Sequence, residues 1–147
     1  MAEWKLETKM HQQVQSTAQA DVLLHLQARL GEFSVLMTRD DAAELIVDSL
    51  YWPDIVVTGE GFGRIIRGRE ELLPVLSEYV GVMGRDCTWT MVEPAVVTDD
   101  AVSMFLQIEC RHGDAQPSDY FCALYVWLRR GSEWKVIHEQ ACVGKVL

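Results

Sequence analysis

The segment from Asp119 to Arg130, DYFCALYVWLRR, constrains the fold more than any other stretch of the chain. Read as a strand, it places Tyr120, Cys122, Leu124 and Val126 on one face and Phe121, Ala123, Tyr125 and Trp127 on the other. Both faces are largely apolar, so this strand belongs at the centre of a sheet covered on two sides. Cys87 to Val97, Ala101 to Arg111 and Trp134 to Cys142 read as its companions, separated by Thr98-Asp99-Asp100, by His112 to Ser118 and by Gly131-Ser132-Glu133. Together they predict a four-stranded antiparallel meander.

The first half of the chain has a different period. Val22, Leu23, Leu26, Leu30, Phe33, Leu36 and Met37 recur at spacings of three and four, which predicts an amphipathic helix from Asp21. Asp40 and Asp41 offer an N-cap, with Glu44 at the capping-box spacing from Asp41, for a second helix through Leu45, Ile46 and Leu50 that ends before Pro53. Asp54 to Thr58 is β-branched and bounded by Pro53 and Gly59, so it reads as a strand. Gly61 and Gly63 allow a turn into Arg64 to Arg67. Gly68 opens a third helix to about Met83, with Glu70 and Glu71 in its first turn and a kink expected at Pro74. Residues 1–19 are polar and Gln-rich, a tail or accessory helix that docks through Trp4 and Leu6, and residues 20–147 form one domain.

Three helices cannot cover both faces of this sheet, so the remaining apolar face predicts a second subunit on its outside. With 49% hydrophobic and 24% charged residues the chain can build a full core, and a net charge of −9 disfavours nucleic acid and anionic membranes as partners. No run reaches the length of a membrane span and the opening MAEWKLETKMHQQVQ has no apolar signal region, so a cytoplasmic location is expected. Cys87, Cys110, Cys122 and Cys142 make no C-x-x-C pair and read as reduced thiols. Cys110, Cys122 and Cys142 share a strand parity near His112, but strand cysteines are usually small buried hydrophobes, and no metal is expected.

Helices, a hairpin and a long meander form an α+β order in which a curved antiparallel sheet wraps three N-terminal helices into a cone. Three segments carry a resemblance: Trp52-Pro53-Asp54-Ile55-Val56-Val57; Gly59-Glu60-Gly61 with Arg67-Gly68-Arg69-Glu70-Glu71-Leu72; and Trp134-Lys135-Val136-Ile137-His138-Glu139-Gln140. On these, the chain resembles the nuclear transport factor two superfamily, over about residues 20 to 144. That superfamily includes ketosteroid isomerases, SnoaL-like polyketide cyclases, scytalone dehydratase and the kinase association domain. The resemblance implies a site in the cone interior and a homodimer formed through the sheet. It leaves the reaction open, because the fold hosts enzymes, binding modules and assembly domains alike.

Glu109, Arg111 and His138 read as neighbours on the meander, with Glu109 and Arg111 roughly opposite Thr90 and Thr88 and His138 opposite Leu124 or Tyr125. A carboxylate beside an arginine and a histidine suits a general base with an electrophile for an enolate; the same residues suit a cross-strand ion-pair network. If Glu109 is the base, Glu109→Gln removes turnover and leaves dimerisation intact. Asp54, at the strand entrance, and Glu60, on the hairpin, are the other acid or base candidates, Asp54 also reading as a turn residue. The isomerase trio of an aspartate base, a tyrosine and a protonated aspartic acid is not reproduced: the first helix has no tyrosine and the meander no aspartate inside a strand.

Arg67, with Arg64 and Arg69, could receive a ligand carboxylate or phosphate, or pair with the many acids. Gly59-Glu60-Gly61-Phe62-Gly63 fits no phosphate-loop spacing. Trp52, Tyr79, Trp89, Tyr125 and Trp127 divide between core, dimer contact and pocket mouth; Trp52, Tyr79 and Tyr125 are carried forward as ligand contacts. The reading is a cofactor-independent acid–base enzyme of isomerase, dehydratase or cyclase type acting on an apolar carbonyl compound, or else a non-catalytic ligand-binding or association module. The two differ in the state of the key carboxylate: unpaired and buried it is raised toward neutrality, paired with an arginine it is depressed and inert.

Overall fold

The computed structural model describes residues 17–93, 96–113 and 115–147. The tail with Trp4 and Leu6 lies outside these residues. Helix α1 (Thr17–Leu36) buries Leu26, Leu30 and Phe33, the stripe set by their four- and three-residue spacing. Helix α2 (Ala42–Leu50) follows. Asp41 occupies its N-cap position without a side-chain capping bond, because Asp41 Oδ1 accepts from Arg39 Nε at 3.3 Å instead. Cationic side chains meet the carbonyls at the ends of both helices: Arg85 bonds Met37 O and Arg39 O, Arg29 donates to Ser49 O at 2.6 Å, and Lys135 to Asp48 O at 3.1 Å.

Strand β1 (Tyr51–Gly59) starts three residues earlier than its β-branched stretch suggests. Pro53 is tolerated within it because the pairing register shifts between Tyr51 and Val56. Strand β2 (Ile66–Arg67) pairs with Val57 and Val56, and α3 (Gly68–Val82) continues through Pro74. The remaining strands are β3 (Asp86–Met91), β4 (Val96–Val97), β5 (Ala101–Arg111), β6 (Asp119–Arg130) and β7 (Glu133–Val143).

The sheet order is β2-β1-β7-β6-β5-β3, with β4 also on β5, which puts β6 in the interior of the sheet as its sequence requires. The sheet is mixed, not wholly antiparallel, because β1 returns across the helices to lie parallel to β7. It is curved and open, and the three helices among the described residues precede the long strands in the α+β order read from the sequence. Val102, Met104, Leu106, Ile108 and Cys110 of β5 and Ala123, Tyr125 and Trp127 of β6 form the buried inner face. The outer face keeps Phe105 52% exposed, but Gln107 is buried, since its Oε1 accepts from Val146 N at 2.6 Å and its Nε2 donates to Phe121 O at 2.8 Å.

Two register changes fix which side chains share a face. Val96 and Val97 pair with Ser103 and Val102, whereas Met91 pairs with Leu106, so the partner of β5 slips by two residues between β4 and β3. Glu109 therefore lies opposite Thr88 and Arg111 opposite Asp86. In β7 the pairing moves from Trp127 with Val136 to Val126 with His138, leaving Ile137 as an extra residue. Because a strand alternates with period two, that single bulge reverses the faces of every residue after it. Trp134 and Val136 point into the core before the bulge; Glu139 and Ala141 reach the interior after it.

Candidate active site

The interior between α1, α3 and the inner face of the sheet holds a cavity offering the centres of water-sized molecules about 110 Å³, room for a small molecule. Its walls are mainly apolar. Phe33 and Met37 come from α1 and the residue after it, Leu72, Val75 and Tyr79 from α3, and Val57, Ile108 and Phe121 from the sheet. Among the described residues the lining contains two charged groups, Glu60 and Glu139, and no Lys, Arg or His.

Glu139 sits opposite Tyr125 on β6 and Val57 on β1, so both flanking strands bring side chains to it. The Tyr51 hydroxyl donates to Glu139 Oε2 at 2.7 Å, and Tyr125 stands directly across the sheet from Glu139. Trp89 Nε1 donates to Tyr125 Oη at 3.1 Å. An indole N–H can only donate, so the Tyr125 oxygen accepts there. Phe33 packs against all three aromatic members, with ring centres 5.9 Å from Tyr51, 5.0 Å from Trp89 and 5.8 Å from Tyr125.

Burial raises the Glu139 carboxyl above its ordinary range; the Tyr51 and Tyr125 hydroxyls oppose that rise without cancelling it. Glu139 retains some accessible surface because the cavity it faces is open, yet its carboxyl is enclosed by protein atoms. Burial, with the nearby Glu139 charge, also pushes Tyr51 and Tyr125 well above the usual phenol value, so both stay protonated. The result is a carboxylate in an apolar chamber with two protonated phenols beside it and, among the described residues, no lining cation.

Glu60, at the end of β1, lies at the mouth, where its Oε2 accepts from Val143 N at 2.9 Å. Tyr79 and Tyr125 line the cavity with it. The other proposed ligand contacts do not. Trp52 is buried with its Nε1 donating to Leu128 O at 2.8 Å, its ring covered by Arg130 at 4.8 Å and Lys135 at 5.2 Å. Arg67 is exposed at a strand edge, its backbone N–H donating to Glu71 Oε2 at 2.8 Å. Its neighbours in the basic cluster are paired, Arg64 with Glu71 at 2.9 Å and Arg69 with Asp48 at 2.5 Å.

Glu109 and Arg111 are neighbours, as read from the sequence, but His138 and Asp54 lie apart from them, and none of the four lines the cavity. Glu109 and Arg111 belong to the outer face of β5, the helices covering its apolar face. Arg111 makes a two-pronged pair with Asp86 at 2.9 and 3.1 Å and lies 3.5 Å from Glu109, which also accepts from Ser118 Oγ at 3.0 Å. His138 is exposed beside Val126, since the bulge turns it outward. Asp54 forms a two-pronged pair with Arg130, both contacts 2.8 Å, and this pair holds its carboxyl below the ordinary aspartate range. By the criterion drawn from the sequence, Asp54 is the depressed carboxylate and Glu139 the raised one.

The residues that sequence reasoning missed are Glu139 and Tyr51. The bulge that turns Glu139 inward has no local signature in WKVIHEQACV, and Tyr51 was hidden by the assumption that the strand begins after Pro53. The cysteines also separate. Cys110 faces inward opposite Cys87, whereas Cys122 lies opposite Cys142, and the described residues contain no group of three or more His, Cys, Asp or Glu placed to hold a metal.

No protein-family model matches the sequence, and no curated protein matches it. Solved structures do resemble it. A nuclear transport factor two-like protein of unknown function from Pseudomonas putida is 18% identical, with a TM-score of 0.60 over 84% of this chain and 90% of that one. A ketosteroid isomerase-like protein from Erwinia carotovora is 15% identical, with a TM-score of 0.59 over 82% and 97%. A protein of unknown function with a cystatin-like fold from Nostoc punctiforme is 18% identical, with a TM-score of 0.63 over 90% and 96%. The chain has the cone-shaped fold that these proteins share. Among the described residues, no helix is long and apolar enough to cross a membrane.

Proposed function

We propose that the protein is a cofactor-independent acid–base enzyme of isomerase, dehydratase or cyclase type, with Glu139 as the proton-transfer group and a small, largely apolar carbonyl compound as substrate. One observation carries the reading: a carboxylate raised by burial, in an apolar cavity, bonded by Tyr51 at 2.7 Å. A base is most effective when its pKa approaches the working pH, and burial without a cationic partner moves a glutamate that way.

The chemistry follows from the two states of Glu139. As the carboxylate, it accepts from Tyr51. When it takes a proton from the carbon beside the substrate carbonyl, the C–H electron pair moves into the enolate and negative charge leaves the glutamate. The neutral acid holds that hydroxyl less strongly, so Tyr51 can redirect its proton to the enolate oxygen at the moment charge develops there. Return of the proton to another carbon gives an isomer. Loss of a β-hydroxyl, protonated as it departs as water, gives dehydration.

The test is exchange of the α-hydrogens of 1-phenylpropan-2-one in deuterium oxide, followed by NMR. The native protein is expected to accelerate exchange over buffer, and Glu139→Gln to abolish the acceleration. Exchange at the buffer rate across a panel of small ketones, with binding retained, would replace this reading by a ligand-binding or association module. We also propose a homodimer through the outer sheet face, supported by the 52% exposure of Phe105 beside half-buried Leu124 and Val126. Phe105→Glu is expected to give a monomer in sedimentation; an unchanged mass would place the contact elsewhere.

A further inference from the structure

Both charged groups of the cavity are acids, and they stand at different depths. Val57 pairs with Glu139 and Gly59 with Ala141, so the end of β1 stands two residues, roughly 7 Å by strand rise, from the level of Glu139, and Glu60 follows in the turn. Glu60 is exposed and lines the cavity together with Phe62 and Tyr79, whose rings meet edge to face at 5.7 Å. The Phe62 ring is seated over Gly59, where a Cβ would come within 2.6 Å of it, so the lack of a side chain at Gly59 lets the aromatic wall close on this spot. The Val143 N–H occupies part of Glu60 Oε2, and a carboxylate has about four lone-pair sites, so acceptor capacity remains.

An anionic ligand entering the cavity meets two carboxylates, no lining cation among the described residues, and the field of a chain with a net charge of −9; Arg64, in the adjoining pocket that Phe62 and Tyr79 also line with Glu78, is paired with Glu71 at 2.9 Å. An ammonium group meets a carboxylate and two aromatic rings, the elements that recognise organic cations. We propose that Glu60, Phe62 and Tyr79 form an ammonium subsite, so that the ligand is a small apolar compound bearing a basic nitrogen at the mouth and its carbonyl near Glu139. The nitrogen stands on the mouth alone; the carbonyl rests on the acid–base reading above.

Three probes sharing a phenyl ring separate the charges: phenethylammonium, phenylacetate and 1-phenylpropan-2-one, titrated at pH 7 by calorimetry. Phenethylammonium is expected to bind at least about ten-fold tighter than phenylacetate. Glu60→Gln keeps an amide oxygen for the Val143 N–H, so the fold is preserved. It is expected to weaken phenethylammonium about 3–10-fold and to change binding of the uncharged ketone by less than that. Equal or tighter binding of phenylacetate overturns the proposal, and so does a cation preference that is undiminished in Glu60→Gln or is lost only in Glu139→Gln. If the preference behaves as expected and the ketone does not exchange, the subsite stands and the acid–base reading fails.

Discussion

Glu139 and Asp54 are both carboxylates at strand positions, and their surroundings drive them in opposite directions. Asp54 lies at the surface in the grip of the Arg130 guanidinium, which holds it ionised and below its ordinary range. Glu139 is enclosed, faces two phenols and has no lining cation among the described residues, and burial lifts it above its ordinary range. A second outer-face group, Glu109 with Arg111 and Asp86, repeats the Asp54 pattern of charge meeting charge. In this chain a carboxylate beside an arginine marks a surface ion pair, whereas the carboxylate that burial raises is the one beside tyrosines in the apolar cavity.

The largest effect that separates these regions is expected from paired substitutions. Glu139→Gln should lower the ketone exchange rate by about a thousand-fold or to background, whereas Glu109→Gln should leave it within about two-fold. The reverse result would return the base to the outer face. Tyr51→Phe is next: loss of one donor to a developing oxyanion is expected to cost about 10–100-fold in rate and to raise the Glu139 carboxyl further, since a hydrogen bond that lowers it is gone. A pH–rate profile that does not move upward in this variant would contradict the network.

A stability experiment sharpens the same contrast. The folded protein holds the Glu139 proton more readily than the unfolded chain, so the charged carboxylate costs stability above its folded pKa. That cost fades as pH falls and is absent below the ordinary glutamate value of 4.5. Glu139→Gln should therefore raise the melting temperature at pH 7, with the gain shrinking toward pH 4. The smallest effect is expected at the surface: Arg111→Ala should melt close to the native protein at all pH values, because its partner Asp86 keeps 71% of its side-chain surface exposed and is screened by water.

The helices and the long strands were legible because each carries its own period. The stripe at Leu26, Leu30 and Phe33 and the doubly apolar Asp119–Arg130 place α1 and β6 without tertiary information. The parallel return of β1 to β7 was not legible, since a long-range pairing leaves no mark on either strand. The site was legible in part: Tyr79, Tyr125 and Glu60 line the cavity, but their partner Glu139 depends on one extra residue at Ile137. Unbroken alternation from Trp134 and Val136 carries His138 inward; the bulge carries Glu139 inward instead. Register is a property of two strands together, and a reading of one strand cannot contain it.

The most direct test of the account is a carbon-13 NMR titration of the glutamate side-chain carboxyls, with the Glu139 signal assigned by its absence in Glu139→Gln. The account predicts a midpoint for Glu139 clearly above the ordinary 4.5 and a further rise in Tyr51→Phe. A midpoint at or below 4.5 would show that the tyrosines hold it as a stable anion, and the cavity would lose its base.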